Sequence, residues 1–434
     1  MDISRRKLVA AAGLGAVAAP FGPLPAQASS GRGRGHPGRV VTGAQAQADA
    51  GWPTLKGHRV GVISNPTGVL EDLTHIVDRM HADGVDVAAV FGPEHGFRGT
   101  AQAGGSEGSA KDPRTGITVH DAYGANDKRF AELFAASKVD TVVFDIQDVG
   151  VRFYTYIWTM YQAMRGAAQV GGIRFVVLDR PNPIGRAARG PLLDMTYSSG
   201  VGLRSILMQH GMTVGELATM FDAEYLPREK EAKRLAELEV VRVRGWKGEL
   251  FDETGLQWVM PSPNMPTPTT ALVYPGTGLF EATNMSEGRG TTRPFELVGA
   301  PWVDHRWAER LNAHGLPGVL FREAYFTPTI SKNAEKVNGG VQVHVTDPSR
   351  INAPELAVHM FCDARDLHED FDTRVIAWDK YPWEWLDKLT GTARMREQLT
   401  SGASAQQIVS AWADDEKAWQ KRRRPHLLYP AGRR

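Results

Sequence analysis

The chain has 434 residues, with 50 Lys and Arg against 49 Asp and Glu, a formal charge of +1 and a single cysteine. The near-neutral balance offers no steering toward nucleic acid, and one thiol, Cys362, excludes an intramolecular disulfide framework. Stability must come from core size, for which about four hundred residues suffice, enough for two domains.

The chain opens on Ser4-Arg5-Arg6-Lys7-Leu8-Val9, followed by an Ala/Gly-rich apolar run and the small-x-small triplet Ala26-Gln27-Ala28. This pattern reads as a twin-arginine signal peptide over residues 1–28. The run is too short and too weakly apolar to span a membrane, so no membrane insertion is expected. Residues 29–45 are Gly/Arg-rich and read as a disordered, solvated leader. The expected location is periplasmic, cell-wall-associated or extracellular.

Residues 59–64 form a β-branched run that ends in the turn Asn65-Pro66-Thr67-Gly68. A helix is predicted over 73–81 and a strand over 85–91. After a long polar loop come a helix at 128–137, a strand at 139–146, a helix at 157–169 and a strand at 174–179. Continuously apolar strands alternating with helices imply a parallel sheet covered on both faces. Right-handed crossovers make this a Rossmann-like, doubly wound α/β domain over 46–265. A proline-rich, extended segment at 258–267 leads to a smaller α+β C-terminal domain over 266–434. There, a strand near 341–346 and helices near 354–362, 383–390 and 405–422 are predicted. Trp378, Trp383 and Trp385 read as core, and the Lys421–Arg424 run as a solvated helix end favourable to the helix dipole.

In a parallel sheet, the loops leaving the strands' carboxyl ends share one edge, and ligands bind there. The unusual polar residues of this chain cluster in those loops. They are Asn65–Gly68, Gly92-Pro93-Glu94-His95-Gly96-Phe97-Arg98-Gly99, Asp145–Tyr156 and Asp179-Arg180-Pro181-Asn182-Pro183-Ile184-Gly185. A nicotinamide or flavin site is disfavoured because no G-x-G-x-x-G follows the first strand. Walker, H-E-x-x-H and G-x-S-x-G patterns are also absent. A metal site from His95, Asp145, Asp148 and His210 is a rival reading whose spacing is not diagnostic. Arg152, Phe153, Tyr154 and Tyr156 beside carboxylates suit a sugar, which has apolar C–H faces and hydroxyl edges. A further polar run, Glu281-Ala282-Thr283-Asn284-Met285-Ser286-Glu287-Gly288-Arg289, is too rich in charge and glycine to be packing.

The motifs Gly-Pro-Glu-His-Gly-Phe-Arg-Gly, Phe-Asp-Ile-Gln-Asp-Val-Gly-Val-Arg-Phe-Tyr-Thr-Tyr, Leu-Asp-Arg-Pro-Asn-Pro-Ile-Gly and Glu-Ala-Thr-Asn-Met-Ser-Glu-Gly-Arg-Gly-Thr-Thr-Arg-Pro-Phe-Glu resemble the exo-acting β-N-acetylmuramidases called NamZ. They run in order from about residue 59 to 429. The resemblance implies a Rossmann-like domain, a smaller C-terminal domain and an active site in the cleft between them. It implies release of terminal N-acetylmuramic acid from the non-reducing end of peptidoglycan fragments, so the expected partners are muramyl saccharides; no cofactor and no metal are expected. The family glutamate falls on Glu94. One departure is Gln209, before His210-Gly211-Met212-Thr213, where the family often carries arginine.

Glycoside hydrolysis needs an acid on the leaving oxygen and a second group across the anomeric carbon. Glu94 is the expected acid, and His95 either a catalytic partner or a loop anchor. Asp145, Glu281 and Glu287 are candidates for the second carboxylate, and the sugar's own acetamido carbonyl is an alternative nucleophile. Arg98, Arg152 and Arg289 are candidates to read the lactyl carboxylate. Asn65, Tyr154, Asn182, His210 and Asn284 complete the expected ligand-binding set. A metal-dependent hydrolase and a non-catalytic saccharide binder are the competing classes.

Overall fold

The computed structural model describes residues 39–228, 234–373 and 385–430. The residues read as a signal peptide, most of those read as a leader, Trp378 and Trp383 lie outside the described residues. The leader ends earlier than the composition suggests. Val41 bridges to Arg244, and helix α1 (Gly43–Asp49) starts where Thr42 accepts the Gln45 N–H at 3.2 Å. Val40 and Ala44, 2 % and 0 % exposed, supply the apolar anchors of this segment.

Six strands come first: β1 (Val60–Ser64), β2 (Val87–Gly92), β3 (Ala110–Lys111), β4 (Thr118–Asp121), β5 (Thr141–Asp145) and β6 (Arg174–Leu178). A hairpin β7 (Arg189–Leu192) and β8 (Leu207–Gln209) and the edge strand β9 (Glu237–Val241) follow. The main sheet has the order β3-β4-β2-β1-β5-β6-β9 and is parallel except for β3. Its central strands are buried on both faces because successive side chains alternate. Val142 and Phe144 enter one core, Val143 the other. Helices α3 (Asp127–Ser137) and α4 (Tyr156–Val170) cover the first face, while α1 and α2 (Ile76–Ala82) cover the second. This is the expected doubly wound arrangement.

Two expectations need correction. The helix predicted from residue 73 begins at Ile76, because Leu73 is left-handed (φ 64°) and His75 takes the capping position. The polar loop after β2 contains β3 and β4. Only Val119 of β4 is buried, so the run is too short to carry a strand signal.

Helix α5 (Val214–Met220) packs on the main sheet beside β6 and β9, and the C-terminal part opens with α6 (Pro268–Thr277). A three-stranded antiparallel sheet, β10 (Leu297–Ala300), β11 (Val319–Phe326) and β12 (Asn338–Val345), runs in the order β10-β12-β11. Helix α7 (Arg306–Ala313) packs on it, and α8 (Ala353–Leu367), α9 (Trp385–Thr390), α10 (Arg394–Thr400), α11 (Ala405–Ser410) and α12 (Ala413–Arg423) complete the described helices. The single helix expected over 405–422 breaks at Trp412, which is 2 % exposed and turned into the core. One hydrophobic core continues from Ile63 through Met265 and Ala271 to Trp419. Helix α12 returns to the β7–β8 hairpin, where Glu416 accepts the Gly190 N–H at 3.0 Å and Trp419 donates to the His210 carbonyl at 2.9 Å. No described helix is long and apolar enough to cross a membrane.

Candidate active site

The loop after β2 presents Glu94 with both carboxylate oxygens held. Oε1 accepts the Gly104 N–H at 2.9 Å, and Oε2 accepts the Thr155 hydroxyl at 2.7 Å. Thr155 precedes α4, a place where a threonine hydroxyl commonly caps the helix. Here it makes no capping bond and is given to Glu94 instead. The loop itself is tight. His95 is left-handed (φ 70°), and a Cβ on Gly96 (φ 86°) would lie 2.2 Å from Glu107. Glu107 ties the loop together by accepting the N–H groups of Arg98 and Thr100 at 3.0 and 2.8 Å. His95 is 6 % exposed and its Nδ1 lies 3.0 Å from the Ala101 carbonyl. Of its two expected roles, this contact is that of a loop anchor.

The loops after β1, β5 and β8 supply a second wall. Asn65 is fully buried, and its Oδ1 accepts the Thr67 hydroxyl and N–H at 2.6 and 3.0 Å. Its backbone carbonyl lies 3.0 Å from His75 Nε2. Burial drives the His75 pKa down to about 4, so this imidazole stays neutral. Asp148 is 5 % exposed; its Oδ2 accepts the Gly150 N–H at 2.7 Å. Gly150 is required there: it is left-handed (φ 81°), and a Cβ would lie 2.5 Å from Asn182 Oδ1. His210 accepts the Met212 N–H on Nδ1 at 3.2 Å, so the ring proton is on Nε2, which faces Asp148 Oδ2 at 3.6 Å. Asp148 Oδ1, His210 Nε2, Asn65 Nδ2 and the Tyr154 hydroxyl are buried with no hydrogen-bond partner.

An aromatic path leads from here into the C-terminal region. The Tyr156 hydroxyl donates to the Pro261 carbonyl at 2.5 Å and lies 3.5 Å from the Glu94 carbonyl. Ring centroids then follow from Tyr156 to Tyr154 (5.2 Å), Tyr154 to Tyr274 (5.8 Å) and Tyr274 to Phe295 (4.6 Å). The Arg289 guanidinium sits 5.0 Å over Phe295. Burial raises the pKa of Tyr154, which lies within electrostatic reach of Glu94, Asp148 and Arg289. Burial likewise keeps Tyr156 and Tyr274 protonated, as neutral donors.

At the far end, Arg289 Nη2 meets Glu281 at 2.8 Å and its Nε meets Glu287 at 3.1 Å, while Lys332 Nζ meets Glu287 at 2.9 Å. Burial raises the Glu281 pKa against the pull of Arg289. At Glu287 burial is outweighed by Lys332 and Arg289, which hold it below the usual range. Two anions and two cations balance, so Glu287 serves as a counter-ion here. Lys332 carries no motif in the sequence; only folding brings it to Glu287.

Several expected site residues are committed elsewhere. Asp145 is fully buried and bidentate with Arg180 (2.5 and 2.8 Å), which spends both oxygens away from a ligand. Burial still raises its pKa against Arg180. Arg98 points back to Asp78 and Asp112 at 2.8 and 2.9 Å. Arg152 is fully buried under the carbonyls of Pro191, Ile206 and Leu389. Neither guanidinium is left to read a carboxylate. Asn182 binds the Met212 carbonyl and the Ile184 N–H, and Asn284 ties its loop to Asp370 and Asp372. Gln209, the departure from the family pattern, donates to the Ala187 carbonyl at 3.2 Å. The rival metal set does not assemble: among the described residues no three His, Cys, Asp or Glu side chains gather as a metal ion requires.

The geometry defines an α/β protein that gathers, at the carboxyl edge of its parallel sheet, one held carboxylate, a row of buried aromatic rings and unpartnered polar atoms. The profile described as "Exo-beta-N-acetylmuramidase NamZ, N-terminal" matches residues 60–269, and that of the corresponding C-terminal part matches residues 272–429. The chain belongs to the NamZ family. It is 44 % identical over 380 residues to the peptidoglycan beta-N-acetylmuramidase NamZ of Bacillus subtilis (strain 168), covering 86 % of this chain and 88 % of that one. Two crystal structures of DUF1343 family proteins from Bacteroides fragilis NCTC 9343 share the fold. One superposes with a TM-score of 0.80 at 34 % identity, covering 90 % of this chain and 99 % of the other. The second gives 0.69 at 30 % identity, with 91 % and 99 % covered.

Proposed function

We infer that the protein is a glycoside hydrolase, an exo-β-N-acetylmuramidase that releases terminal N-acetylmuramic acid from the non-reducing end of peptidoglycan fragments. The observation that carries this is the two-sided grip on Glu94 beside a row of buried aromatic rings, in a chain of the NamZ family. The Gly104 N–H only donates, so Oε1 is an acceptor in either protonation state. The Thr155 hydroxyl donates to an ionised Oε2 and accepts from a protonated one. The proton that Glu94 delivers to the leaving oxygen therefore belongs to Oε2. Of the three candidate arginines, Arg289 alone stands by the ring path, and we assign it the lactyl carboxylate. Export through the twin-arginine signal and a division into two parts near residue 266 belong to the same proposal. The division is supported by family profiles that meet between residues 269 and 272.

The test is release of free muramic acid from fragments ending in N-acetylmuramic acid, beside the same fragments ending in N-acetylglucosamine. The reading expects turnover of the first alone, unchanged in chelator. Binding without product would overturn it, and chelator-sensitive turnover would restore the metal-dependent alternative.

A further inference from the structure

A buried carboxylate oxygen without a donor is costly and rare in a folded protein. Asp148 Oδ1 is such an oxygen, in a side chain only 7 % exposed. Its sister Oδ2 is fixed by the Gly150 N–H, and the backbone-oriented His210 stands behind it at 3.6 Å. His210 is in turn held from the C-terminal helix, by Trp419 and Arg423 on its carbonyl at 2.9 and 3.2 Å. The carboxylate is thus rigid, with one oxygen waiting for a donor that the described residues do not supply. Tyr154, its hydroxyl likewise unpartnered, lies within electrostatic reach of Asp148 and of the Glu94 acid.

We propose that Asp148 is the second catalytic group: Oδ1 accepts the N–H of the substrate's 2-acetamido group and orients that group's carbonyl oxygen to attack the anomeric carbon. This rests on the muramidase reading above. In the first step the carbonyl oxygen forms a bond to C1 as the C1–O bond to the leaving sugar breaks, and Glu94 gives its Oε2 proton to that oxygen. The positive charge left on the cyclic N–H intermediate faces Asp148. In the second step water attacks C1, returns the electron pair to the acetamido oxygen and loses its proton to Glu94. The sugar leaves with its configuration retained, and no protein–sugar bond forms. Asp145, Glu281 and Glu287 need no part in this, in keeping with the ion pairs that occupy them.

The experiment uses the full mature chain and muramides whose acetamido group carries none, one, two or three fluorines. Fluorine withdraws electrons from the carbonyl oxygen, so kcat/KM should fall stepwise along the series. The muramic thiazoline, which mimics the cyclic intermediate, should inhibit the wild-type protein. Asp148→Asn should lower kcat by at least about a hundredfold and abolish thiazoline inhibition. A flat fluorine series, or inversion at C1, would overturn the inference while muramic acid release continued. No release by the wild-type protein would overturn the muramidase reading as well. The fluorine series needs no variant, so it decides the matter even if Asp148→Asn fails to fold.

Discussion

Asp148 and Glu287 are both buried carboxylates, in the strand-edge wall and the 281–289 loop respectively, yet their partners differ. Glu287 has Arg289 and Lys332 on its two oxygens. Asp148 has one oxygen fixed and one without any donor. Asp145, a strand-end neighbour of Asp148, resembles Glu287 in having both oxygens paired, here with Arg180. Carboxylates whose oxygens are both spent on arginine or lysine hold loops together, whereas Asp148 keeps an oxygen for a ligand. Charge density in the sequence does not separate the two kinds, because all of these residues sit among glycines and polar neighbours.

The sharpest way to break this comparison is Glu94→Gln. It should lower turnover of a chromogenic β-N-acetylmuramide by about a thousandfold with the thermal midpoint nearly unchanged. Near-normal turnover would remove Glu94 from the chemistry. Asp145→Ala should behave in the opposite way, leaving Arg180 buried without its partner. It should cost ~3–5 kcal/mol in urea unfolding, and full stability with lost turnover would reverse the assignment.

Asp179 probes the same distinction through pH. Burial raises its pKa to about 7, although Tyr429, Gly215 and Thr213 hydrogen-bond it. The folded state then holds a proton that the unfolded chain has released above its ordinary value of 3.8. Stability should fall as pH rises from about 4 to about 7, by on the order of a few kcal/mol, and Asp179→Asn should flatten that slope. An unchanged slope in the variant would place the titration elsewhere. The smallest effect concerns Arg289→Ala, compared on muramide and glucosaminide substrates. Preference for the muramide should fall by about 10- to 100-fold, and an unchanged ratio would take the lactyl carboxylate away from Arg289.

Local pattern was enough for the central sheet. The runs around Val62, Val90, Val143 and Val176 are short, β-branched and apolar on both faces, which only a covered parallel sheet accommodates. The motif around Glu94 was equally legible, because its glycines and charges sit next to each other in the chain. Edge strands were not, since β4 and β9 bury too little to break a polar pattern. Nor were Thr155 and Lys332. A threonine before a helix reads as a cap, and a lone lysine gives no signal at all.

The sequence by itself determined the alternation of strands and helices, the loops at the sheet's carboxyl edge and the Glu94 motif, because each depends on neighbours within a few residues. Tertiary structure alone decided which charges are spent. Arg98 turned to Asp78 and Asp112 and Arg152 disappeared beneath three carbonyls, while Arg289 came to stand beside the ring path. The physical reason is that a buried charge must be paired, and pairing depends on distances that close only when segments far apart in the chain come together. Asp148 is the exception to that rule, with one oxygen lacking a partner among the described residues, and only the folded arrangement singles it out.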